Sequence, residues 1–118
     1  MAVRGAIRVR ADDKEAIHTA AVRLATEMVA RNQIEIERIV SIICSLTPDL
    51  TAANPATGLR LDRFGEVPLF CVQEAAVEGL MTRVLRLLVT YDTQQEGRPQ
   101  PVYLDGAQRL RPDLERPS

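Results

Sequence analysis

The chain has 118 residues, which is enough for one domain and too few for two. Hydrophobic residues make up 46% of it and aromatic residues only 3%, so its core must be aliphatic, and it offers little surface on which single-stranded bases could stack. The net charge of −1 lacks the basic excess of a nucleic-acid-binding protein, and no apolar run of about 18 residues is present to span a membrane.

The first elements of the chain are predicted from two different periodicities. Residues 2–10 alternate between apolar and arginine-containing positions, which predicts a strand with one arginine-rich face. Asp12 and Glu15 form a D-x-x-E helix start, and apolar residues then recur at helical spacing. We therefore expect a helix over 13–31, with Asn32 as its stop.

Four later segments have the length and apolar content of strands: 38–46, 68–73, 83–91 and 102–104. The third is apolar almost throughout, which predicts a central strand covered on both faces. Asn54 and Pro55 provide the cap and first turn of a second helix over 55–63. Residues 34–37 predict a helical turn, and the aperiodic 109–118 an extended C-terminal tail. The order of elements predicts one α+β domain, a mixed sheet with helices packed on one face.

Several kinds of site are excluded by what the sequence lacks. His18, Cys44 and Cys71 cannot assemble a zinc site within one subunit, and neither a GxGxxG nor a Walker A loop is present. His18 lies beside the apolar stripe of the first predicted helix, where a solvated residue is far commoner than a catalytic base. We therefore expect no metal and no cofactor. The N-terminus has no apolar run typical of a signal peptide, and two cysteines suit free thiols, so we expect a cytoplasmic protein.

Arg86 is the most informative residue, because its neighbours in the strand are apolar. An unpaired buried charge is costly, so this arginine needs either an acid on a neighbouring strand or a cavity that receives an anion. Both interpretations stay open on the sequence alone. Five more polar or aromatic residues draw attention but also have ordinary structural roles on a strand or helix surface: Arg4, Arg60, Cys71, Glu74 and Tyr103.

Taken together in their order, these residues and their neighbours are more specific. The sequence resembles the AroH class of chorismate mutases over nearly its whole length. The resemblance rests on Arg4-Gly5-Ala6, Thr47-Pro48-Asp49-Leu50, Pro68, Cys71-Val72-Gln73-Glu74, Arg86, Val102-Tyr103-Leu104 and Arg111-Pro112-Asp113-Leu114. It implies a homotrimeric pseudo-α/β barrel with active sites between subunits, which rearranges chorismate to prephenate without a cofactor. A C–O bond breaks as a C–C bond forms, and negative charge builds on the ether oxygen, so the chemistry needs a fixed cation there.

The resemblance also implies a role for each site residue. Arg86 would be the cation at the ether oxygen and would hold the side-chain carboxylate of the substrate. Arg4 and Tyr103 would bind the same carboxylate, one by charge and the other by its hydroxyl. Glu74, with the backbone or thiol of Cys71, would receive the ring hydroxyl. These assignments make Arg86, Glu74 and Arg4 the expected catalytic residues.

The remaining pocket residues are also implied by the resemblance. Arg60 would lie near the mouth of the site beside the ring carboxylate. The wall would be completed by Asn54, Ala56, Thr57, Phe70 and Leu114, with the tail 111–114 closing over the site. The sequence departs from the family pattern at three of these positions. Asn54 stands where an aromatic residue is usual, Thr57 where lysine or glutamate is frequent, and Phe70 where the side chain is smaller.

Two other functions are compatible with an arginine-lined pocket. One is a RidA-like imine deaminase, which has a similar trimeric architecture and also binds a carboxylate through arginine. The other is a trimer that binds a small carboxylate without catalysis. A pH–rate profile distinguishes the deaminase, because deamination needs a proton-transfer group and the rearrangement does not. A direct assay of chorismate consumption distinguishes the non-catalytic protein.

Overall fold

A computed structural model describes residues 1–110 of the chain, and residues 111–118 lie outside the described part. The helices and strands are β1 (Ala2–Arg8), α1 (Lys14–Arg31), β2 (Ile39–Leu46), α2 (Pro55–Leu61), β3 (Leu69–Gln73), β4 (Val84–Tyr91) and β5 (Val102–Leu104). Short 3-10 turns are formed by Ile36–Arg38 and Ala107–Leu110. Within residues 1–110, neither helix is long and apolar enough to cross a membrane.

The strands form one five-stranded mixed sheet in the order β3-β2-β4-β1-β5. The central strand β4 runs antiparallel to both β1 and β2. The edge strands are parallel to their neighbours, β3 to β2 and β5 to β1. The helix α2 supplies the connection that a parallel β2–β3 pair requires. The predicted mixed sheet is therefore confirmed, with the apolar fourth strand at its centre.

Both helices pack on one face of this sheet, as predicted. Gly5 of β1 lies so close to α1 that a Cβ atom there would collide with the side chain of Met28. The two helices also approach each other closely, since a Cβ atom at Gly58 would lie 2.9 Å from the Cα of His18. His18 therefore lies half-buried at the contact between α1 and α2. Aliphatic side chains fill the space between the helices and the sheet.

The opposite face of the sheet, which we call the open face, has no α-helix over it in the described chain. Pairing registers place the following side chains on it: Arg4, Ala6, Ile43, Phe70, Val72, Arg86, Leu88 and Tyr103. Phe70 is 66% exposed and Leu88 is 36% exposed. The expectation that the central strand is covered on both faces is therefore wrong for the single chain. An apolar run is compatible with a strand covered on both faces and with a strand covered on one. Here the single layer of helices covers only one face.

Some predicted boundaries differ from the structure by one or two residues. Asn32 ends α1 and Asn54 caps α2, as the sequence predicts. The first strand, however, ends at Arg8 instead of residue 10, and the second helix at Leu61 instead of residue 63. The alternating pattern continues past Arg8, where one further backbone bond of 2.7 Å joins the N–H of Val9 to the carbonyl of Arg83.

The start of α1 is capped by Asp13, not by Asp12 as the D-x-x-E pattern predicts. The Asp13 carboxylate accepts a hydrogen bond of 2.7 Å from the backbone N–H of Ala16. Asp12 instead accepts backbone N–H bonds of 2.9 Å from Thr51 and from Ala52. These bonds, the one from Ala52 first, lower the pKa of Asp12. Asp12 thus fastens the start of α1 to the loop that precedes α2.

The predicted C-terminal tail begins too early. Residues 109 and 110 belong to the 3-10 turn Ala107–Leu110, in which the N–H of Arg109 donates to the carbonyl of Gly106. Ala107 is buried against Ala6 and Val84, and this small apolar contact fixes the turn to the open face of the sheet. The remainder of the predicted tail, 111–118, lies outside the described residues.

Candidate active site

A cavity of about 270 Å³ lies on the open face, over the middle of the sheet. Its wall includes Arg4 of β1, Ser45 of β2, Arg86 of β4 and Tyr103 of β5, together with Leu110 of the 3-10 turn. Four strands contribute because side chains that alternate along a strand emerge on the same face. The cavity therefore gathers residues that lie far apart in the sequence.

Ala6 explains how Arg86 and Tyr103 come to face the same space. It is the register partner of Arg86 in β4 and of Tyr103 in β5. Neighbouring strands lie about 4.8 Å apart, so a guanidinium and a phenol stand on the two sides of one methyl group. Arg4 is two residues earlier in β1 and emerges on the same face. Three of the residues to which the resemblance gives a role thus line one cavity.

Arg86 also has an acidic partner. Its Nε lies 3.3 Å from Oε2 of Glu74, a carboxylate that is only 19% exposed. Glu74 follows β3 directly and is anchored by its N–H, which donates to the carbonyl of Leu46 at 2.8 Å. Its side chain reaches across β2, where the hydroxyl of Ser45 donates to Oε2 at 3.2 Å. Both interpretations of Arg86 are therefore realised together: it is paired with an acid, and it lines a cavity.

The charges around the cavity favour an anion. Arg4 and Arg86 are both positive, and within residues 1–110 only Glu74 forms an ion pair with either of them. One positive charge is therefore left in excess at a partly enclosed site, where charge interactions are stronger than in bulk water. The Nε of Arg86 is buried and makes no hydrogen bond with the described residues, although it lies close to Glu74. A carboxylate in the cavity would find uncompensated donors.

The β3 residues lie at the edge of this arrangement. Phe70 is the register partner of Ile43, a cavity residue, and emerges on the open face. Cys71 pairs with Cys44 and so faces the helices instead. Both cysteines are free thiols. Burial raises the pKa of Cys71. The pKa of Cys44 is raised to about 12, mainly by burial and to a smaller extent by the neighbouring Cys71. In this orientation, the backbone of Cys71 is better placed than its thiol to meet a ligand on the open face.

The four site residues predicted around α2 do not line this cavity within one chain. Asn54 uses its side-chain oxygen to cap the helix, accepting from the N–H of Ala56 at 2.9 Å. Ala56 is buried in the core, Thr57 is half-buried and Arg60 is exposed. The helix α2 packs on α1 and β3, away from the open face. Leu114, the last predicted site residue, lies outside the described part of the chain.

Sequence reasoning missed several residues that line the cavity, above all Ser45. The segment 38–46 is rich in β-branched residues, which predicts a buried strand and draws no attention to a serine within it. Ser41, Ile43 and Ser45 nevertheless share one parity, while Ile42, Cys44 and Leu46 share the other. That alternation is the signal of a strand with one uncovered face, and it could have placed Ser45 beside the expected site.

The cavity and its excess positive charge define a small-anion-binding protein with an α+β fold. Among residues 1–110, no cluster of three or more His, Cys, Asp or Glu side chains is positioned to hold a metal ion. Cofactor independence thus remains a prediction from the sequence.

Comparisons with known proteins identify the family. The sequence model of the family "Chorismate mutase type I" matches residues 1–114. The chain is similar to "Chorismate mutase AroH" of Thermus thermophilus, with 42% identity over 96% of this chain and 94% of that protein. It is 34% identical to "Chorismate mutase AroH" of Bacillus subtilis (strain 168), over 95% of this chain and 90% of that protein. The structure of "Chorismate mutase from Clostridium thermocellum Cth-682" superposes with a TM-score of 0.89, at 32% identity, over 93% of this chain and 99% of that one.

This chain belongs to the type I chorismate mutase family, and it is an enzyme of the isomerase class. The resemblance to the AroH class is therefore confirmed. The same comparisons give no support to the imine deaminase or to the non-catalytic trimer.

Proposed function

We propose that the cavity on the open face is where this chain rearranges chorismate to prephenate. The observation that carries the proposal is the convergence of Arg4, Arg86 and Tyr103 on one cavity, with Glu74 held against Arg86. Chorismate is a dianion, and the cavity has donors and positive charge in excess. Family membership supports the reaction, and the geometry supports the location.

Arg86 is the residue we assign to the transition state. Its Nε faces Glu74, and its terminal nitrogens make no hydrogen bond with residues 1–110, so they are available to a ligand. Negative charge that develops on the ether oxygen is stabilised by a cation that is already in place, because no reorganisation is needed at the moment of reaction. The planar guanidinium can contact the ether oxygen and the side-chain carboxylate at the same time.

The other cavity residues bind and orient the substrate. Arg4 and the hydroxyl of Tyr103 hold the side-chain carboxylate beside Arg86. Glu74 accepts a hydrogen bond from the ring hydroxyl, which the backbone of Cys71 also meets. The rearrangement is intramolecular, so holding the substrate in its reactive conformation is itself a large part of catalysis.

We further propose that the chain works as a homotrimer with its sites between subunits. The open face exposes a group of apolar side chains, and such groups often mark a contact surface: Ile43, Phe70, Val72 and Leu88. The residues expected at the ring carboxylate, Arg60 and its neighbours in α2, are remote from the cavity of their own chain. A second copy laid along the edge of the open face would supply them. Phe70 would then contribute to the wall between subunits.

Three further proposals concern the chain as a whole. Residues 1–118 form a single domain, and Leu114, which lies outside the described residues, is kept among the proposed substrate-binding residues. We place the enzyme in the cytoplasm, where the free thiols of Cys44 and Cys71 stay reduced. Chorismate and further copies of the chain are its proposed partners, with no role for nucleic acid or membrane.

Loss of chorismate absorbance, followed directly, tests the location of the site. Arg4→Ala should lower kcat/KM about tenfold or more, because one charge on the substrate carboxylate loses its partner. Arg31→Ala is the matched control, since Arg31 pairs with Glu27 on the surface of α1 and should leave the kinetics unchanged. Equal activity of both variants would place the reaction elsewhere on the molecule.

A further inference from the structure

The site contains a serine that has no role in the binding scheme above. Ser45 lies on the open face of β2, directly opposite Arg86 of β4. It lines the cavity, and its hydroxyl donates to Oε2 of Glu74 at 3.2 Å. Ser45 thus stands between the two charged residues of the site, next to both and bonded to one.

The bond from Ser45 affects how Glu74 meets Arg86. A carboxylate and a guanidinium that are free to adjust favour a two-pronged arrangement with parallel N–H···O bonds. Here Oε2 is 3.3 Å from Nε of Arg86, yet that Nε makes no hydrogen bond with the described residues. The hydroxyl of Ser45 donates to the same oxygen at 3.2 Å. Glu74 therefore balances the charge of Arg86 without occupying its donors.

We propose that Ser45 is a positioning residue, which keeps Glu74 from closing onto Arg86 and so keeps Arg86 available to the substrate. The inference rests on the site proposed above. Without the hydroxyl, Glu74 forms the two-pronged pair with Arg86, and the substrate must open that pair before its carboxylate can bind. The free energy of opening this pair is spent when the free enzyme binds its substrate. It weakens binding of the substrate and of the transition state equally, so it does not change the barrier between them.

The kinetic constants separate this role from a structural one. Ser45→Ala should raise KM about tenfold and leave kcat within about threefold, because the lost interaction acts before the substrate binds. A purely structural defect would lower the fraction of active enzyme, which reduces kcat and leaves KM unchanged. Ser45→Thr retains the hydroxyl on a strand-compatible side chain, so it should restore KM to within about threefold of the wild type.

Two further variants test whether Ser45 acts through Glu74. Ser41→Ala is the matched control, because Ser41 has the same side chain on the same strand and face but pairs with Thr90, away from the cavity. It should leave both constants unchanged. In a Glu74→Ala background, Ser45→Ala should have less than about a twofold effect, since the group it positions is absent.

Three results would overturn the proposal. The first is an unchanged KM in Ser45→Ala. The second is equal impairment of Ser45→Ala and Ser45→Thr, which would assign the effect to packing. The third is a full effect of Ser45→Ala in the Glu74→Ala background, which would separate Ser45 from Glu74. Failure of the site itself looks different: Arg86→Ala would then keep normal turnover, whatever Ser45 does.

Discussion

Ala6 of β1 stands directly opposite Arg86 of β4 in the antiparallel ladder, and it lines the cavity between Arg86 and Tyr103. The methyl group of Ala6 is what leaves room for a ligand between the guanidinium and the phenol. A larger side chain would fill part of that space. The register of the sheet places residue 6 in the wall of the cavity, so the size of its side chain determines how much space a ligand has.

Ala6→Val should lower kcat/KM about tenfold or more. Valine suits a strand, but its two added methyl groups must crowd Ala107 or the cavity that Ala6 lines, and overpacking costs about 1–3 kcal/mol of stability. Steady-state kinetics on chorismate measures the first effect, and urea unfolding the second. Ala2→Val is the control, because Ala2 lies on the same strand and face but outside the cavity. Similar kinetics for the two variants would contradict the assigned role of Ala6.

The fold was largely predictable, because its elements depend on local patterns. Residues 102–104 form β5 with the predicted bounds, and Asn54 caps α2 as predicted. The choice between Asp12 and Asp13 as the cap of α1 was not predictable in this way. Either aspartate could cap the helix. Asp13 does so because Asp12 instead binds the loop at Thr51, a contact between residues 39 positions apart. Long-range hydrogen bonds of this kind leave no periodic signal.

The rate of the chemical step should be nearly flat between about pH 6 and 9, because the rearrangement exchanges no proton with the protein. The cysteine beside the site does not change this expectation. Burial raises the pKa of Cys71, so its thiol ionises less readily over that range than that of a free cysteine. Single-turnover rates with saturating chorismate are the appropriate measurement. A bell-shaped profile would favour an acid–base reaction such as deamination.

Stability should fall at alkaline pH because of Cys44. Burial raises the pKa of its thiol from 9.0 to about 12. Below pH 9 the thiol is neutral in both states, and its contribution to stability is fully present. As the pH rises from there to about 12, the unfolded chain releases the proton while the folded chain keeps it, so the free energy of unfolding falls.

Cys44→Ala should remove that part of the alkaline loss, although the small cavity it leaves lowers stability at neutral pH. Denaturant unfolding at several values from about pH 8 to about pH 11 compares the slopes of the two proteins. Cys71→Ala is a useful comparison, because Cys71 is only half-buried and should have the smaller influence. Identical slopes for wild type and Cys44→Ala would show that Cys44 is not the source.

The proposed trimer should not tolerate a charge on the open face. Val72 is 40% exposed in the single chain and belongs to the apolar group that we assign to the subunit contact. Val72→Asp should therefore give a smaller species in light scattering, with reduced activity, because a buried unpaired carboxylate is costly. Thr19→Asp adds the same charge on the exposed surface of α1 and should leave the assembly unchanged. A monomer with full activity would refute the proposal that sites lie between subunits.

The candidate site was less predictable than the fold. Arg86 drew attention from its apolar neighbours alone, but its pairing with Glu74 depends on β2 lying between β3 and β4. That strand order is not encoded in any local pattern. The α2 residues illustrate the opposite limit. Asn54 and Arg60 enter the site only through the resemblance, and nothing in their own chain brings them to the cavity. Periodicity in the sequence predicts which side chains share one face of a helix or strand. It does not predict which strands and helices become neighbours, and the site depends on that.

The sharpest prediction concerns Arg86. Preorganised donors at a developing oxyanion contribute about 10²–10³ in rate each, and a full charge fixed in a partly enclosed cavity should exceed that range. Arg86→Ala should therefore lower kcat by more than about 10³. Arg86→Lys should also be poor, because an ammonium cannot reach the ether oxygen and the carboxylate together as a planar guanidinium can. Stopped assays with purified variants and Arg31→Ala as control measure these effects.

The stability of the Arg86 variants distinguishes a catalytic from a structural arginine. Arg86 is 40% exposed and its pair with Glu74 lacks a hydrogen bond, so the pair adds little to the fold. We expect Arg86→Ala to unfold within about 1 kcal/mol of the wild type. A variant that folds well and turns over chorismate at a normal rate would refute the mechanism. A variant that fails to fold would instead make Arg86 a structural partner of Glu74, and Arg86→Lys, which keeps the charge, would then recover the fold.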